Sequence, residues 1–573
     1  ARRVKCDETP GACDNCTRTG RQCEYDLHRI PERARVGSVV APAAQISLPW
    51  KMTSDERRCL SFFQHRSVPH LVAFFDSPLW QRLILQLCHH EPAVFHAVIA
   101  LGAMNQAYEI EGGRRQRQNQ WYSFAVEQAS RAISKLNERR QSADPHFQRV
   151  ILACCLLFVM CELLHQNPSR ATFHLQCGLH ILRGMNVRRQ SSSAGLTFTV
   201  PDGPNPYPVE ECVVDAFLGL QMCAIFYGTK YPLHFDTELV YHQPYHGVYL
   251  HGAQAFRDWG HARQILTPLL DTMALFVAES WYLRDAEIAA RYAALHHRQH
   301  RLLAYFTRYL HLFHEFCHGT LHPRITLDHE KLTREAHITR LSCLYSLLAI
   351  KIALFSKERP LPPPPLPRPR SARCLLPDFL AVLTAAEAAI ARFPMVTEST
   401  NTAGRPAVTA RPEIVPALCV ATMRCPDFGL RCRGLAALRG WDAQEAFMGA
   451  AFNADLIEEV MKVELLVRYR AGEESVLEGV RFEMGMGTGR KTGEQGRSGS
   501  GSGLRPAAAR IGYRGSDGVE RAHCVVLVRN EATGGGAARY RGVGGVAVCA
   551  VSAAVGSFVA FLGGGGALCP GAQ

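Results

Sequence analysis

Four cysteines near the amino terminus, Cys6, Cys13, Cys16 and Cys23, stand at the spacing C-x6-C-x2-C-x6-C. Thiolate sulfur is a favoured ligand of Zn2+, and a C-x2-C turn sets two sulfurs on one tetrahedral ion. A segment this short cannot bury a core of its own, so metal binding has to supply its folding free energy. By themselves these four residues hold one S4 zinc at most. A disulfide pair and a chance spacing are the competing readings. The disulfide fits poorly, because the flanking residues do not read as a secretory signal and disulfides belong to oxidising compartments. The basic run Arg2, Arg3, Lys5 leads into the first cysteine, and Arg18 and Arg21 lie between the last two. Basic residues beside a metal site suit a polyanionic partner. A solvated basic face or a nuclear import signal is the plainer alternative.

The two stretches Arg-Arg-Val-Lys-Cys-Asp-Glu-Thr and Cys-Asp-Asn-Cys-Thr-Arg-Thr-Gly-Arg-Gln-Cys-Glu-Tyr resemble the last two-thirds of the fungal Zn2Cys6 binuclear-cluster DNA-binding domain. That family reads C-x2-C-x6-C-x6-C-x2-C-x6-C. The chain begins inside the first x6 spacer, so the resemblance implies a module truncated at its N-terminus. In the family six cysteines hold two zincs, and the first and fourth bridge both ions. By position Cys6, Cys13, Cys16 and Cys23 match the third to sixth ligands, with Cys13 a bridge. Two zincs are expected for a complete cluster and at most one for these four residues. One departure is Pro10, three residues before Cys13 where the family usually has two; this bears on the loop shape.

The resemblance also implies how DNA is read. A short helix enters the major groove, and basic residues before the third cysteine reach a CGG-type triplet. Arg2 and Arg3 match the positions that face bases, and Lys5 matches a phosphate contact. Arg18 and Arg21 are further phosphate candidates. Arginine suits guanine because its planar fork meets O6 and N7 together, whereas phosphate contacts set register without reading sequence.

The rest of the chain must position and regulate this module. With 573 residues it is long enough for two or three domains and a large core. An apolar share of 47% against 20% charged residues reads as globular. The net charge of +13 is partly concentrated at the N-terminus and otherwise scattered. Many of the 21 cysteines, such as Cys154, Cys155 and Cys161, lie in apolar helical runs. That pattern suits reduced, buried thiols in a nucleocytoplasmic compartment.

Residues 27–45 read as a linker. No a/d heptad run follows the cysteines, so a coiled-coil dimer element is not visible and a homodimer stays open. From 46 to 470 the reading is helical. The run from His90 to Met104 has apolar residues at i, i+3, i+4 and i+7, with Pro92 placed for a first turn. Trp121 to Leu136 is a second amphipathic run. Val150 to Leu164 is apolar nearly all round and predicts a buried central helix. Its ~15 residues fall short of the ~20 that cross a bilayer. Arg170 to Leu182 predicts another helix, with Ser169 as N-cap and Gly184 as stop signal. Residues 359–370 hold a Pro-rich run expected as an extended spacer within this domain. An SH3-like docking site is the less economical reading. Residues 471–573 are rich in Gly, Ser, Arg and Ala and are expected to form a disordered tail, or to be misread non-coding sequence. Within it residues 544–562 are apolar but Gly/Ala-rich, without flanking charge asymmetry, and are not expected to span a membrane.

Several segments are similar to the fungal-specific transcription factor regulatory domain. Phe62 to Asp76 with Trp80-Gln-Arg-Leu-Ile-Leu-Gln looks like its opening, as do Glu91-Pro-Ala-Val and Ala100-Leu-Gly-Ala. Cys155-Leu-Leu-Phe-Val-Met-Cys-Glu-Leu-Leu and His174-Leu-Gln-Cys-Gly-Leu-His-Ile-Leu resemble its central helices. Pro416-Ala-Leu-Cys-Val-Ala-Thr-Met-Arg-Cys-Pro-Asp and Gly440-Trp-Asp resemble a closing segment. Their order along residues 1–470 carries the resemblance more than any one of them.

Two motifs tempt toward catalysis. His314-Glu-Phe-Cys-His318 matches H-E-x-x-H, which places two imidazoles on one helix face as zinc proteases require. A third ligand would have to come from elsewhere, and with 25 histidines in the chain a chance match competes. Gly485 to Thr492 approaches a P-loop, but Arg490 stands where a glycine must let the backbone reach phosphate. No nucleophile elbow, kinase set or Rossmann fingerprint occurs. The sequence therefore predicts a non-enzymatic, mainly α protein. A small zinc-cluster module (1–26) and a linker (27–45) precede a large helical regulatory domain (46–470) and a tail. The expected function is a nuclear, sequence-specific regulator of RNA polymerase II genes. Its expected partners are double-stranded DNA and transcription coregulators, with no membrane. The alternative is a regulatory or interaction protein without DNA binding, because the first Cys-x2-Cys pair is missing.

Overall fold

The computed structural model describes residues 51–111, 119–142, 144–185, 188–192, 195–199, 208–226, 255–320, 327–354, 375–393, 405–470, 480–484 and 506–527, with residues 18 and 472. The described chain is mainly α. It divides into two compact units, residues 1–217 and 218–573. The Pro-rich run, the P-loop-like segment and the apolar stretch 544–562 lie outside the described residues.

In the first unit, helix α1 (Ser54–Phe62) starts at a capping box. The Thr53 hydroxyl accepts from Glu56 N at 3.2 Å, and the Glu56 carboxylate accepts from Thr53 N at 2.9 Å. Each bond satisfies a backbone donor that the first turn leaves open. Helix α2 (Ile84–His90) precedes α3 (Pro92–Glu111), where Pro92 takes the first position. There its missing N–H costs nothing. Asn119 caps α4 (Gln120–Glu138) and Asp144 caps α5 (Pro145–Leu164), each accepting from the N–H two residues on at 2.9 Å. The cap of α6 (Pro168–Gly184) is Asn167 and not Ser169 as expected. Asn167 accepts from Arg170 N at 3.3 Å, and Pro168 moves the helix start two residues earlier than the periodicity suggested. A meander of β1 (Arg188–Ser192), β2 (Gly195–Thr199) and β3 (Pro208–Val209) follows.

Helices α3 and α5 supply the core of this unit. Val94, Ala97, Val98, Ile99, Leu152, Leu156, Leu157 and Val159 are all fully buried. Each buried Leu, Ile or Val contributes about 1.5–3 kcal/mol. The apolar run in α5 is longer than the sequence reading gave: His146–Leu164 makes 19 residues, enough by length and composition to cross a bilayer. Its burial at 78% inside the unit gives that face a protein partner instead. Gly102, in the Ala-Leu-Gly-Ala segment, lets α3 approach α1 closely. A Cβ there would run into the Cys59 carbonyl oxygen and press on Phe63.

Helix α7 (Glu211–Phe226) includes residues of both units. In the second unit α8 (Trp259–Tyr282), α9 (Tyr292–Thr320) and α10 (Leu327–Ile352) enclose a core that includes Phe276, Phe306, Tyr309, Phe313 and Ile350. The one polar atom of Tyr309 is satisfied, since its hydroxyl donates to the Ala262 carbonyl at 3.0 Å. Helix α11 (Leu376–Ile390), α12 (Ile414–Arg424), α13 (Phe428–Trp441) and α14 (Ala450–Arg470) complete the helical part. A small sheet threads between them. In it β4 (Val408–Thr409) runs parallel to β5 (Gln444–Glu445), which pairs antiparallel with β6 (Met448–Gly449).

The tail departs from expectation. Strands β7 (Val480–Met484), β8 (Pro506–Arg514) and β9 (Glu520–Val526) form an antiparallel sheet in which β8 packs against α13. Ala509, Ile511 and Val525 point inward with no exposed area, whereas Arg510, Cys524 and Val526 are exposed. This is period-2 alternation, hidden in a composition rich in Gly, Ala and Arg. The hairpin turns at Asp517-Gly518, where Gly518 has φ +76°, and Asp-Gly is a strong hairpin signal.

Replacing Gly102 tests the α1–α3 approach. Gly102→Ala should cost about 1–3 kcal/mol by overpacking. Gly184→Ala, at a helical site with open space around it, should stay neutral or gain up to about 1 kcal/mol. Denaturant titration of both variants reads the difference.

Candidate functional site

The metal and DNA candidates lie almost wholly outside the described residues. Cys6, Cys13, Cys16, Cys23, Arg2, Arg3, Lys5 and Arg21 are all outside; Arg18 alone is described, as an exposed helical residue. What the described structure does establish is the state of the other cysteines. All fourteen described cysteines are free. Burial pushes the Cys59, Cys88 and Cys155 thiols up to about 12, and it raises Cys154, Cys161, Cys343 and Cys419 as well. Protonated thiols inside a core are neither nucleophiles nor metal ligands. They fill space, as expected of Cys154, Cys155 and Cys161.

The H-E-x-x-H segment sits in the last turns of α9. His314, Glu315 and His318 are exposed, and the two imidazoles meet edge to face with centroids 4.4 Å apart. Glu315 lies 3.6 Å from His311 Nε2. Among the described residues no group of three or more His, Cys, Asp or Glu side chains is placed to hold a metal. The arrangement therefore provides no third ligand and no enclosed cleft for a hydrolytic zinc.

Two buried polar centres escaped the sequence reading. In the first unit, Glu56 is buried beneath α4. Its Oε1 accepts from Gln128 Nε2 at 3.2 Å, while Gln128 Oε1 accepts from His96 Nδ1 at 2.7 Å. Arg131 approaches the same carboxylate at 3.4 Å. This chain ties α1, α3 and α4 together through satisfied polar groups, which fixes their mutual register more sharply than apolar contact does.

In the second unit, Glu445 and Glu413 are both fully enclosed. Glu445 Oε2 accepts the backbone N–H of Glu413, Ile414 and Val415 at 2.7, 3.0 and 3.0 Å. Its Oε1 accepts from Trp441 Nε1 at 2.7 Å. Those are the open donors at the start of α12, where the helix dipole also favours negative charge. Asp442 at φ 42° and Ala446 at φ 45° bend the chain so that Glu445 reaches them. Four donors and no acceptor suit a carboxylate and pull its pKa down, but burial is the larger influence and raises the group to about 8. Glu413 faces the opposite situation. Ser342 Oγ contacts both the Ile338 carbonyl, at 2.9 Å, and Glu413 Oε2. A hydroxyl has one proton to give. If it goes to Ile338, the bond to Glu413 needs the carboxyl's own proton. Burial raises Glu413 to about 7, with Ser342 and Arg411 pulling it down.

A third feature is an open surface groove of about 540 Å3 lined by Leu376, Leu380, Leu430 and Tyr513, among others. Its charged rim is already engaged: Arg433 pairs with Glu387, Arg514 donates to Glu520 at 3.1 Å, and Asp427 accepts from Leu430 N at 2.7 Å. No charged group there is left to orient a polar ligand.

Residues 58–200, which fall within the first unit, match the family model described as the fungal specific transcription factor domain. The chain is 24% identical over 236 residues to the transcription regulator lscL of Purpureocillium lilacinum, covering 38% of this chain and 54% of that one. It is 27% identical over 220 residues to the aspercryptin biosynthesis cluster-specific transcription regulator atnN of Emericella nidulans, covering 33% and 34%. The chain thus spans about half the length of the first relative and a third of the second. No solved structure matches. The matched model and both relatives are named for transcription regulation.

Glu413 predicts a pH dependence. Unfolded, its carboxyl titrates in the ordinary range near 4.3; folded, it holds its proton to about 7. A raised carboxyl stabilises the fold fully below the unfolded value and loses that contribution as pH rises through the folded one. The melting temperature of the parent should therefore fall between about pH 4 and 7 relative to Glu413→Gln, whose amide keeps a donor for Ser342, and run parallel above that. Curves that are parallel below that point as well would show that Glu413 is ionised throughout.

Proposed function

We propose that this chain is a nuclear, zinc-dependent regulator that binds a CGG-type triplet in duplex DNA to control transcription by RNA polymerase II. The observation that carries this reading is order along the chain. A four-thiolate segment with Arg2, Arg3 and Lys5 at its head precedes a segment that matches the fungal specific transcription factor domain. The donor set fits the metal, because four sulfurs and no oxygen suit a tetrahedral structural zinc. Zinc here would fold the module, holding its basic residues in one geometry.

On this reading Cys6, Cys13, Cys16 and Cys23 hold the ion. Arg2 and Arg3 read guanine edges, and Lys5, Arg18 and Arg21 neutralise phosphates. Affinity then comes largely from released counterions and falls steeply with salt. The helical units, with their inert thiols, satisfied polar centres and engaged groove rim, act as the regulatory body and the surface for coregulators.

Binding to CGG-containing and scrambled duplexes, read by fluorescence anisotropy, separates the roles. Arg3→Ala should cost about 1–3 kcal/mol on the CGG duplex and relax base choice. Lys5→Ala should weaken both duplexes alike and lower the salt slope by about one. A parent protein that binds both duplexes equally would point to a regulator acting through protein partners instead.

A further inference from the structure

We propose that His296 and His300 form a two-imidazole chelate on α9 for a borderline divalent transition-metal ion, of the class of Ni2+ or Zn2+. This site is separate from the N-terminal thiolates and from the H-E-x-x-H segment. Residues four apart on a helix stand one above the other on the same face. Here the two Nε2 atoms are 3.0 Å apart. Imidazole nitrogens sit about 2.0–2.1 Å from such a metal, so two ligands at a right angle around it lie about 3 Å apart. The rings already hold that bite. In the absence of metal a single ring proton bridges the two nitrogens, and a cation takes the place of that proton.

The surroundings favour occupancy. Tyr292, one turn earlier, stacks on the His296 ring at 5.2 Å and 22°, which restricts how that ring turns. His300 is exposed, so the remaining coordination positions open to water. The cations on the same stretch of helix are directed elsewhere. Arg291 and Arg298 both donate to Glu279, at 2.8 and 2.6 Å, and Arg301 contacts Tyr305. The opposite face of the helix is anchored, since Leu295, Leu302 and Phe306 are buried in the core of the second unit. The pair is thus a preformed donor set on a fixed element, and little conformational freedom is lost on binding. Imidazole nitrogen selects borderline ions such as Zn2+, Ni2+ and Cu2+ over hard Mg2+. His314 and His318 repeat the i, i+4 spacing two turns before the end of α9 with ring centroids 4.4 Å apart, so a test has to silence them.

The test uses the full chain loaded with one equivalent of Zn2+ for its N-terminal cysteines and freed of excess metal by gel filtration, in a His314→Ala background, titrated with Ni2+ by calorimetry. One Ni2+ site is expected. His296→Ala and His300→Ala should each weaken it by at least about tenfold. The double variant should be no weaker than either single, because one imidazole alone does not chelate. His297→Ala should leave binding unchanged, and Mg2+ should give no binding heat. Circular dichroism should show every variant equally helical, as expected for side chains at the surface. No Ni2+ binding in the background, or binding that survives His300→Ala, would overturn the proposal.

Discussion

The Glu445 carboxylate holds the second unit together at its least forgiving point. Three backbone N–H groups at the start of α12 and the indole N–H of Trp441 are all buried, and all converge on its two oxygens. A buried donor left without a partner costs about 1–3 kcal/mol, so these four groups could not share an apolar interior without that one side chain. Its position fixes much else. The left-handed residues Asp442 and Ala446 deliver it. The parallel pairing of β4 with β5 holds its backbone. Trp441, the residue ending α13, packs against Phe393 beyond α11. Glu413, next to the same helix start, is likewise pushed up by burial, and Ser342 is the hydroxyl it shares with the Ile338 carbonyl.

The first unit solves the same problem with less charge. Its helices are joined by apolar burial along α3 and α5 and by polar contacts that include the chain through Glu56, Gln128 and His96 and the buried bond from Asn105 Nδ2 to Ser67 Oγ at 2.9 Å. In both units the core cysteines, such as Cys59, Cys155 and Cys419, act as small apolar residues, and burial raises their thiols.

Much of the helical architecture was legible in the sequence because it rests on local signals. Pro92 at a first helical position, the 3.6-residue period of α4 and the apolar run of α5 each act within a few turns. The cap of α6 was missed by two residues, because Asn167 and Ser169 both have capping side chains and only the placement of Pro168 decides between them. The polar centres were not legible. Glu445 and Ile414 are 31 residues apart, and no local pattern says that the carboxylate of one meets the backbone of the other. Gly440-Trp-Asp was singled out as a recurring segment, yet its physical role, to turn the chain so that Glu445 reaches α12, appears only in three dimensions. The sheet of 480–527 was hidden for a different reason. Its inward positions include Ala509, small enough for the composition to resemble a polar tail, and only the alternation with Ile511 reveals the strand. The metal and DNA candidates remain a sequence argument, carried by spacing and by their place ahead of the matched domain.

The central claim is that the N-terminal thiolates hold a zinc ion on which DNA binding depends. The most direct measurement is the zinc content of the purified protein together with its affinity for a CGG-containing duplex, before and after a strong chelator and again after zinc is restored. The account predicts that chelation removes bound zinc and specific DNA binding together, that zinc restores both, and that Cys16→Ser abolishes the recovery. DNA binding that persists without zinc, or zinc that stays bound in Cys16→Ser while specificity is intact, would contradict it.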